Sequence, residues 1–189
     1  MSYQSINPHN GECLKRFEEQ SDLQVETAIA MATGYFETWK KLSFTERAVI
    51  VSKAAAIMRG RAEELARTVT QEMGKLFAES VGEVMLSADI LDYYATNAAR
   101  FLAFERLKLD SGEALVKNSP LGVLFGVQPW NFPYHQPARF AGPNLMAGNV
   151  VRVKHSGTMP QCAVAFDGCG RRRVRRRVFT PVYSSPMNR

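Results

Sequence analysis

Residues 119–154 read SPLGVLFGVQPWNFPYHQPARFAGPNLMAGNVVRVK, and this stretch decides the fold. Gly122 to Val127 is a short apolar run rich in β-branched and aromatic residues, the composition of a buried strand. Gln128-Pro129-Trp130-Asn131 breaks the run. Pro133 suits a first helical turn, where its missing N–H is not needed. A helix is expected from there to Met146, and Gly148-Asn149 offers a left-handed stop. Val150, Val151 and Val153 form a second apolar run ending at Lys154. Strand, loop, helix and strand make one βαβ unit of a doubly wound α/β fold. Such sheets bind ligands beyond the carboxyl ends of their strands, and Trp130-Asn131 and Lys154 both fall at such ends. Pro137 lies inside the expected helix, where a proline costs ~3 kcal/mol unless it sits in the first turn.

Upstream the pattern is helical. Val25, Ile29, Ala32, Phe36 and Trp39 recur at helical spacing, with Ser21 or Asp22 to cap the start. Ser43-Phe-Thr-Glu46 is a capping box for a second helix, whose apolar face reads Val49, Ile50, Ala54, Ile57 and Met58. Leu65, Val69 and Met73 continue to Gly74, a helix stop. Val81, Val84, Met85, Ala88, Leu91, Ala95 and Ala98 mark a long helix from Phe77 to Phe101. These stripes read as core, and no titratable group among them invites a catalytic reading. Asp110-Ser-Gly112 is a turn, and Glu113 to Lys117 alternates as a half-buried strand does.

The net charge of +6 comes from one place. Residues 171–177 read RRRVRRR and hold six of the 24 Lys and Arg, so the rest of the chain carries 18 basic against 18 acidic residues. Hydrophobic content of 46% is ordinary for a soluble globular protein, and no run of 18 apolar residues suggests a membrane span. The N-terminus lacks a signal-peptide pattern, and Cys13, Cys162 and Cys169 make neither a metal spacing nor a disulfide framework, which points to the cytoplasm. His9, His135 and His155 have no ligand spacing, so no metal is expected.

Pro129-Trp130-Asn131-Phe132-Pro133, followed by Ala147-Gly148-Asn149-Val150-Val151 and Lys154, resembles the aldehyde dehydrogenase superfamily. The wording ARFAGPNLMAGNVVRVKH is similar to its succinate-semialdehyde dehydrogenase branch, and the resemblance covers residues 6 to 167. It implies an incomplete version of that fold. A helical part of the cofactor-binding domain spans residues 1–104, an oligomerisation-arm strand 105–120, and the first βαβ of the cofactor sheet 121–167. Ile6 to Glu12 resembles the family's turn between two strands of a surface hairpin.

The implied activity is oxidation of an aldehyde, succinate semialdehyde, to the acid with NADP or NAD, in a dimer or tetramer. The resemblance makes Asn131 the oxyanion donor; read from the residues alone, it is equally a cap for the following helix. Trp130, Asn131, Lys154, His155, Ser156 and Gly157 form the implied cofactor-binding set. In NAD-using relatives an acidic side chain stands where this chain has Gly157. A small residue there leaves room for a 2′-phosphate beside Lys154, which favours NADP. The family's nucleophile and base motifs lie beyond the matched region, so the chain alone is expected to be inactive. Cys162 reads as a buried structural cysteine at the start of the next helix.

Residues 168–189 depart from the family, are expected to lack stable structure, and read best as an out-of-frame tail. Two alternatives stand beside the enzymatic reading: a non-catalytic remnant that binds nucleotide or a partner, and nucleic-acid binding through Arg171 to Arg177. The arginine run has no interleaved aromatics, so nucleic acid is not the expected partner.

Overall fold

A computed structural model describes residues 3–171 and 179–181. Strands β1 (Tyr3–Ile6) and β2 (Cys13–Phe17) form an antiparallel hairpin. Its turn is closed by Asn7 N–H donating to Glu12 O and Gly11 N–H donating to Asn7 O, both at 2.8 Å. Four helices follow: α1 (Asp22–Trp39), α2 (Phe44–Gly60), α3 (Ala62–Met73) and α4 (Phe77–Phe101). Capping boxes start the first two, Ser21 with Gln24 and Ser43 with Glu46. Gly74 ends α3 in the left-handed region at φ 75°.

The bundle of α2, α3 and α4 packs through one face of α4, on which Val84, Ala88, Leu91, Ala95 and Ala98 are buried. Three residues placed on apolar faces by spacing turn outward. Ile29, Val49 and Met85 are 49%, 64% and 37% exposed, because the neighbouring helices cover a narrower stripe than the periodicity allows.

A second antiparallel hairpin, β3 (Glu105–Leu107) with β4 (Ala114–Val116), follows α4. The half-buried strand expected here is exposed at both Leu115 and Val116, and its partner strand β3 carried no pattern of its own. Then come β5 (Val123–Val127), α5 (His135–Met146), β6 (Val150–Lys154), α6 (Pro160–Arg171) and β7 (Phe179–Pro181). Strands β5, β6 and β7 form a parallel sheet in that order. Val150 through Val153 are all buried, since α1 and α5 both pack on β6. The charged member of that run, Arg152, sends Nη1 2.8 Å to the Ala28 carbonyl of α1.

The tail differs from its expectation in two places. α6 continues through Gly168 to Arg171 with Cys169 buried, and residues 179–181 add β7 to the sheet beside β6. Sheet pairing supplies the order that side-chain periodicity did not reveal. Arg172 to Arg177, the bulk of the basic run, lie outside the described residues. Among the described residues no helix is long and apolar enough to cross a membrane.

Two glycines fix how α5 meets the sheet. Gly148, at φ 97°, ends it in a Schellman turn: Asn149 N–H donates to Asn144 O at 2.9 Å, and Gly148 N–H to Leu145 O at 3.0 Å. A Cβ at Gly126 would stand 2.7 Å from the Phe140 ring, so only glycine lets α5 lie this close to β5. Trp39, 2% exposed, ties α1 to the same turn by donating Nε1–H to Leu145 O at 3.0 Å. Trp39→Phe removes that bond and part of the filled volume. It should cost about 2 kcal/mol, read as a lowered midpoint in thermal unfolding followed by circular dichroism.

Candidate functional site at the carboxyl edge of the sheet

β5 and β6 run in register from Val123 opposite Val150 to Val127 opposite Lys154. Gln128 N–H then donates to Lys154 O at 2.9 Å, so the loop carrying Trp130 and Asn131 leaves the sheet beside Lys154. The two groups of residues singled out in the sequence thus share one strand edge.

The helix after this loop begins at His135, later than Pro133 suggests. Pro137 therefore lies in the first turn, where its missing N–H breaks no helical hydrogen bond. The N-cap position is Tyr134, which has no capping side chain. The cap comes from α4. Glu83 Oε1 accepts the N–H groups of Tyr134 and His135 at 2.8 and 3.2 Å. Its other oxygen meets Lys75 Nζ at 2.6 Å, with the two side chains 1% and 9% exposed. Lys75 Nζ also lies 3.8 Å from the centroid of the Phe132 ring. A buried ion pair thus holds both ends of the Phe132-Pro133-Tyr134 segment.

Asn131 consequently caps nothing. Its Oδ1 is buried without a hydrogen-bond partner among the described residues. The cap alternative is settled against, and the amide is left as a neutral polar group next to a pinned aromatic residue. Trp130 is 56% exposed beside it.

On the other side of the edge Lys154 is half-buried, its Nζ 3.4 Å from His155 O and 5.9 Å from the Tyr3 ring centroid. His155 is buried, and neither ring nitrogen has a hydrogen-bond partner among the described residues. Burial, with the Lys154 charge adding to it, pushes its pKa down to about 4, so the imidazole is neutral near pH 7. Ser156 Oγ lies 2.9 Å from Thr158 Oγ1 and accepts the Thr158 N–H at 3.4 Å, turning the chain toward α6. The room expected at Gly157 is occupied on one side: a Cβ there would meet Tyr3 Cε1 at 2.9 Å.

α6 repeats the capping device. Glu72 of α3 accepts the N–H groups of Gln161 and Cys162 at 2.8 and 2.9 Å. Both helix N-termini that follow sheet strands are thereby closed by a carboxylate, which leaves neither open to a phosphate. Burial, then the Glu72 carboxylate, pushes the Cys162 thiol well above its ordinary value. Burial and Cys162 do the same to the Tyr134 hydroxyl. Cys162 is a protonated core residue, not a nucleophile.

The aldehyde dehydrogenase family profile matches residues 1–173. The chain belongs to the aldehyde dehydrogenase family. It is 42% identical over 165 residues to the succinate-semialdehyde dehydrogenase [NADP(+)] of Deinococcus radiodurans, covering 87% of this chain and 35% of the relative. The probable succinate-semialdehyde dehydrogenase [NADP(+)] of Synechocystis is 38% identical over 166 residues, covering 88% and 37%. Among solved structures, the Streptococcus pyogenes succinic semialdehyde dehydrogenase in complex with NADP+ superposes with a TM-score of 0.93 at 35% identity, covering 97% of this chain and 41% of that one. The chain spans about a third of the length of the curated relatives it matches.

In this aldehyde dehydrogenase chain the residues that sequence reasoning passed over are the ones that hold the loops. Glu72 and Glu83 sit on otherwise apolar stripes, Glu72 after Leu65 and Val69, Glu83 beside Val84. A carboxylate on a buried stripe was the available signal. Sequence reasoning also missed a cavity of about 470 Å³ between α4 and α5, lined by Asp89, Ile90, Tyr93, Tyr94, His135 and Arg139. Among the described residues no cluster of three or more His, Cys, Asp or Glu could hold a metal ion.

Proposed function

We propose that the chain supplies the N-terminal, cofactor-facing part of an NADP-dependent dehydrogenase that oxidises succinate semialdehyde to the acid. The observation that carries this reading is that Glu83 takes over the cap of α5 and leaves the Asn131 amide uncommitted at the sheet edge it shares with Lys154. When a nucleophile adds to an aldehyde, the carbonyl oxygen gains negative charge. A preorganised amide N–H stabilises it without titrating, and Asn131 has that role here. Bound NADP would supply the hydride acceptor.

The residues present suit such a ligand. Lys154 brings a cation, and the buried, unpartnered nitrogens of His155 add neutral polar atoms at the carboxyl end of β6. Trp130, Ser156 and Gly157 stand at the same strand ends and would complete the surface that holds the cofactor. In the cavity between α4 and α5, Arg139 offers the charge that the substrate's carboxylate needs. The relatives named for succinate semialdehyde and NADP(+) agree in chemistry with both choices. Leu115 and Val116, exposed on β4, give the arm an apolar surface for assembly as a homodimer or tetramer.

No cysteine of this chain serves as the nucleophile, since Cys162 and Cys169 are buried and Cys13 stands on the β1–β2 hairpin. The chain mixed with NADP+ and succinate semialdehyde should form no NADPH. NADPH production would overturn that assignment. Titration calorimetry should show NADP+ binding to the full chain, weakened roughly tenfold by Lys154→Ala through loss of one charge-assisted contact. Failure of NADP+ to bind would overturn the cofactor reading.

A further inference from the structure

The two carboxylates that close α5 and α6 leave the same corner of the helical layer. α3 ends at Met73, Gly74 to Leu76 turn the chain, and α4 begins at Phe77. Glu72 stands just before this corner and Glu83 in the second turn after it, 5% and 4% exposed. The corner is a fixed joint. Gly74 turns at φ 75°, and a Cβ there would meet Pro8 Cγ at 3.1 Å. Across the turn the hydroxyls of Thr70 and Ser80 share a hydrogen bond at 3.3 Å, with Ser80 buried. The contacts also close on the far side. Tyr134, whose N–H Glu83 accepts, has its ring centroid 6.4 Å from that of Phe166 on α6. Phe166 lies one turn beyond Cys162, whose N–H Glu72 accepts. Corner, Glu83, Tyr134, Phe166, α6 and Glu72 make one circuit of packed groups.

We propose that Glu72 and Glu83 are positioning residues that act as a pair, so that the α3–α4 corner they share sets the separation between the Asn131 loop ahead of α5 and the Lys154 to Gly157 loop ahead of α6. Two caps that served only their own helices would need no common origin. With one origin, a shift of the corner carries both loops, and loosening one carboxylate loosens the other helix start through Tyr134 and Phe166. A site built from two loops gains from such a joint, because misplacing a reacting group by about 1 Å costs a large part of the rate. The functional meaning rests on the proposed function, since only that reading gives both loops one ligand to hold. The coupling itself is a property of the fold.

The test is amide hydrogen exchange on the full chain, read residue by residue by NMR. The Tyr134 and His135 N–H groups report the start of α5, and those of Gln161 and Cys162 the start of α6. Glutamine keeps an acceptor oxygen of the same shape, so Glu→Gln variants retain the fold. Glu83→Gln should speed exchange at Gln161 and Cys162 about fivefold, although Glu83 makes no hydrogen bond to α6. Glu72→Gln should do the same at Tyr134 and His135. Gly74→Ala touches neither loop and should speed exchange at all four groups, since it strains a left-handed residue and presses on Pro8. Thr70→Val removes only the hydroxyl bond across the corner and should act in the same direction, more weakly. It serves where Gly74→Ala does not fold.

Ala98→Gly controls for loss of stability alone. Ala98 is buried at the far end of α4, about 22 Å along the helix from Glu83. It should lower the unfolding midpoint and leave the four exchange rates unchanged. If it speeds them as much as Gly74→Ala does, exchange runs through global unfolding and the positioning role is overturned. If each Glu→Gln substitution moves only the N–H groups its own carboxylate accepts, the two caps are independent and the role is likewise overturned, while the cofactor reading stands. Coupled exchange in a chain that binds no NADP+ by calorimetry would keep the joint and remove the proposed function.

Discussion

Glu83→Ala is expected to destabilise the folded chain by about 3–5 kcal/mol, the range for removing one partner of a buried ion pair. The Glu83 carboxylate accepts two N–H groups of the α5 start and pairs with Lys75 at 2.6 Å. Its loss leaves the Lys75 ammonium, 9% exposed, beside the Phe132 ring with no other ion-pair partner among the described residues, and leaves the first turn of α5 without the Glu83 acceptor. Lys75→Met should cost less, because the carboxylate it leaves still accepts two hydrogen bonds at a helix N-terminus, where negative charge is favoured. Urea denaturation of both variants orders them. Losses below about 1 kcal/mol for both would mean that the pair is solvated and worth no more than a surface bridge. The same substitution frees the segment beside Asn131. With Trp39 replaced by Phe, the fluorescence of Trp130 reports that loosening, since the chain has two tryptophans.

Acidification should act through His155. Its ordinary pKa is 6.5, and burial with the Lys154 charge pushes it down to about 4 in the fold. Between these values the unfolded chain binds a proton that the folded chain does not, so stability falls as pH drops through that window. Above the ordinary value the group has no effect on stability. Below about pH 4 both states are protonated, and the full loss of about 3 kcal/mol has been taken. Carboxylates contribute to acid unfolding as well, so the comparison that isolates the histidine is with His155→Gln. Between about pH 7 and pH 4.5 the wild-type chain should lose about 2–3 kcal/mol more than the variant in urea titrations. Parallel losses in the two chains would show that the imidazole reaches water in the folded state.

Much of the architecture was legible in the residues. Ser43 and Glu46 announced a helix start three positions apart, and the structure closes that box. The stripe from Val81 to Ala98 marked a helix whose bounds are Phe77 and Phe101. Gly148 announced a stop that the structure makes as a Schellman turn. These are local signals: each depends on the few residues that form the turn or the face. The errors lie where a distant element decides. The start of α5 moved to His135 because Glu83, 51 and 52 residues away, supplies the cap. Val49 was placed on a buried face because spacing says which side is apolar but not how wide a stripe the neighbour covers. β7 was unseen because three residues carry too little pattern, and parallel pairing with β6 gives them order.

For the site the division is similar. The sequence by itself determined that Trp130-Asn131 and Lys154 to Gly157 end two adjacent parallel strands, because strand, loop, helix and strand admit one arrangement once the apolar runs pair. It also determined the family, through the long motif around Asn131. Only the tertiary structure decided that Asn131 is not a cap, that Cys162 is locked as a thiol beside Glu72, and that Tyr3 fills the space over Gly157. In each case the deciding partner arrives from 48 to 154 positions away in the chain, and a carboxylate, a thiol or a ring takes its character from what packs against it.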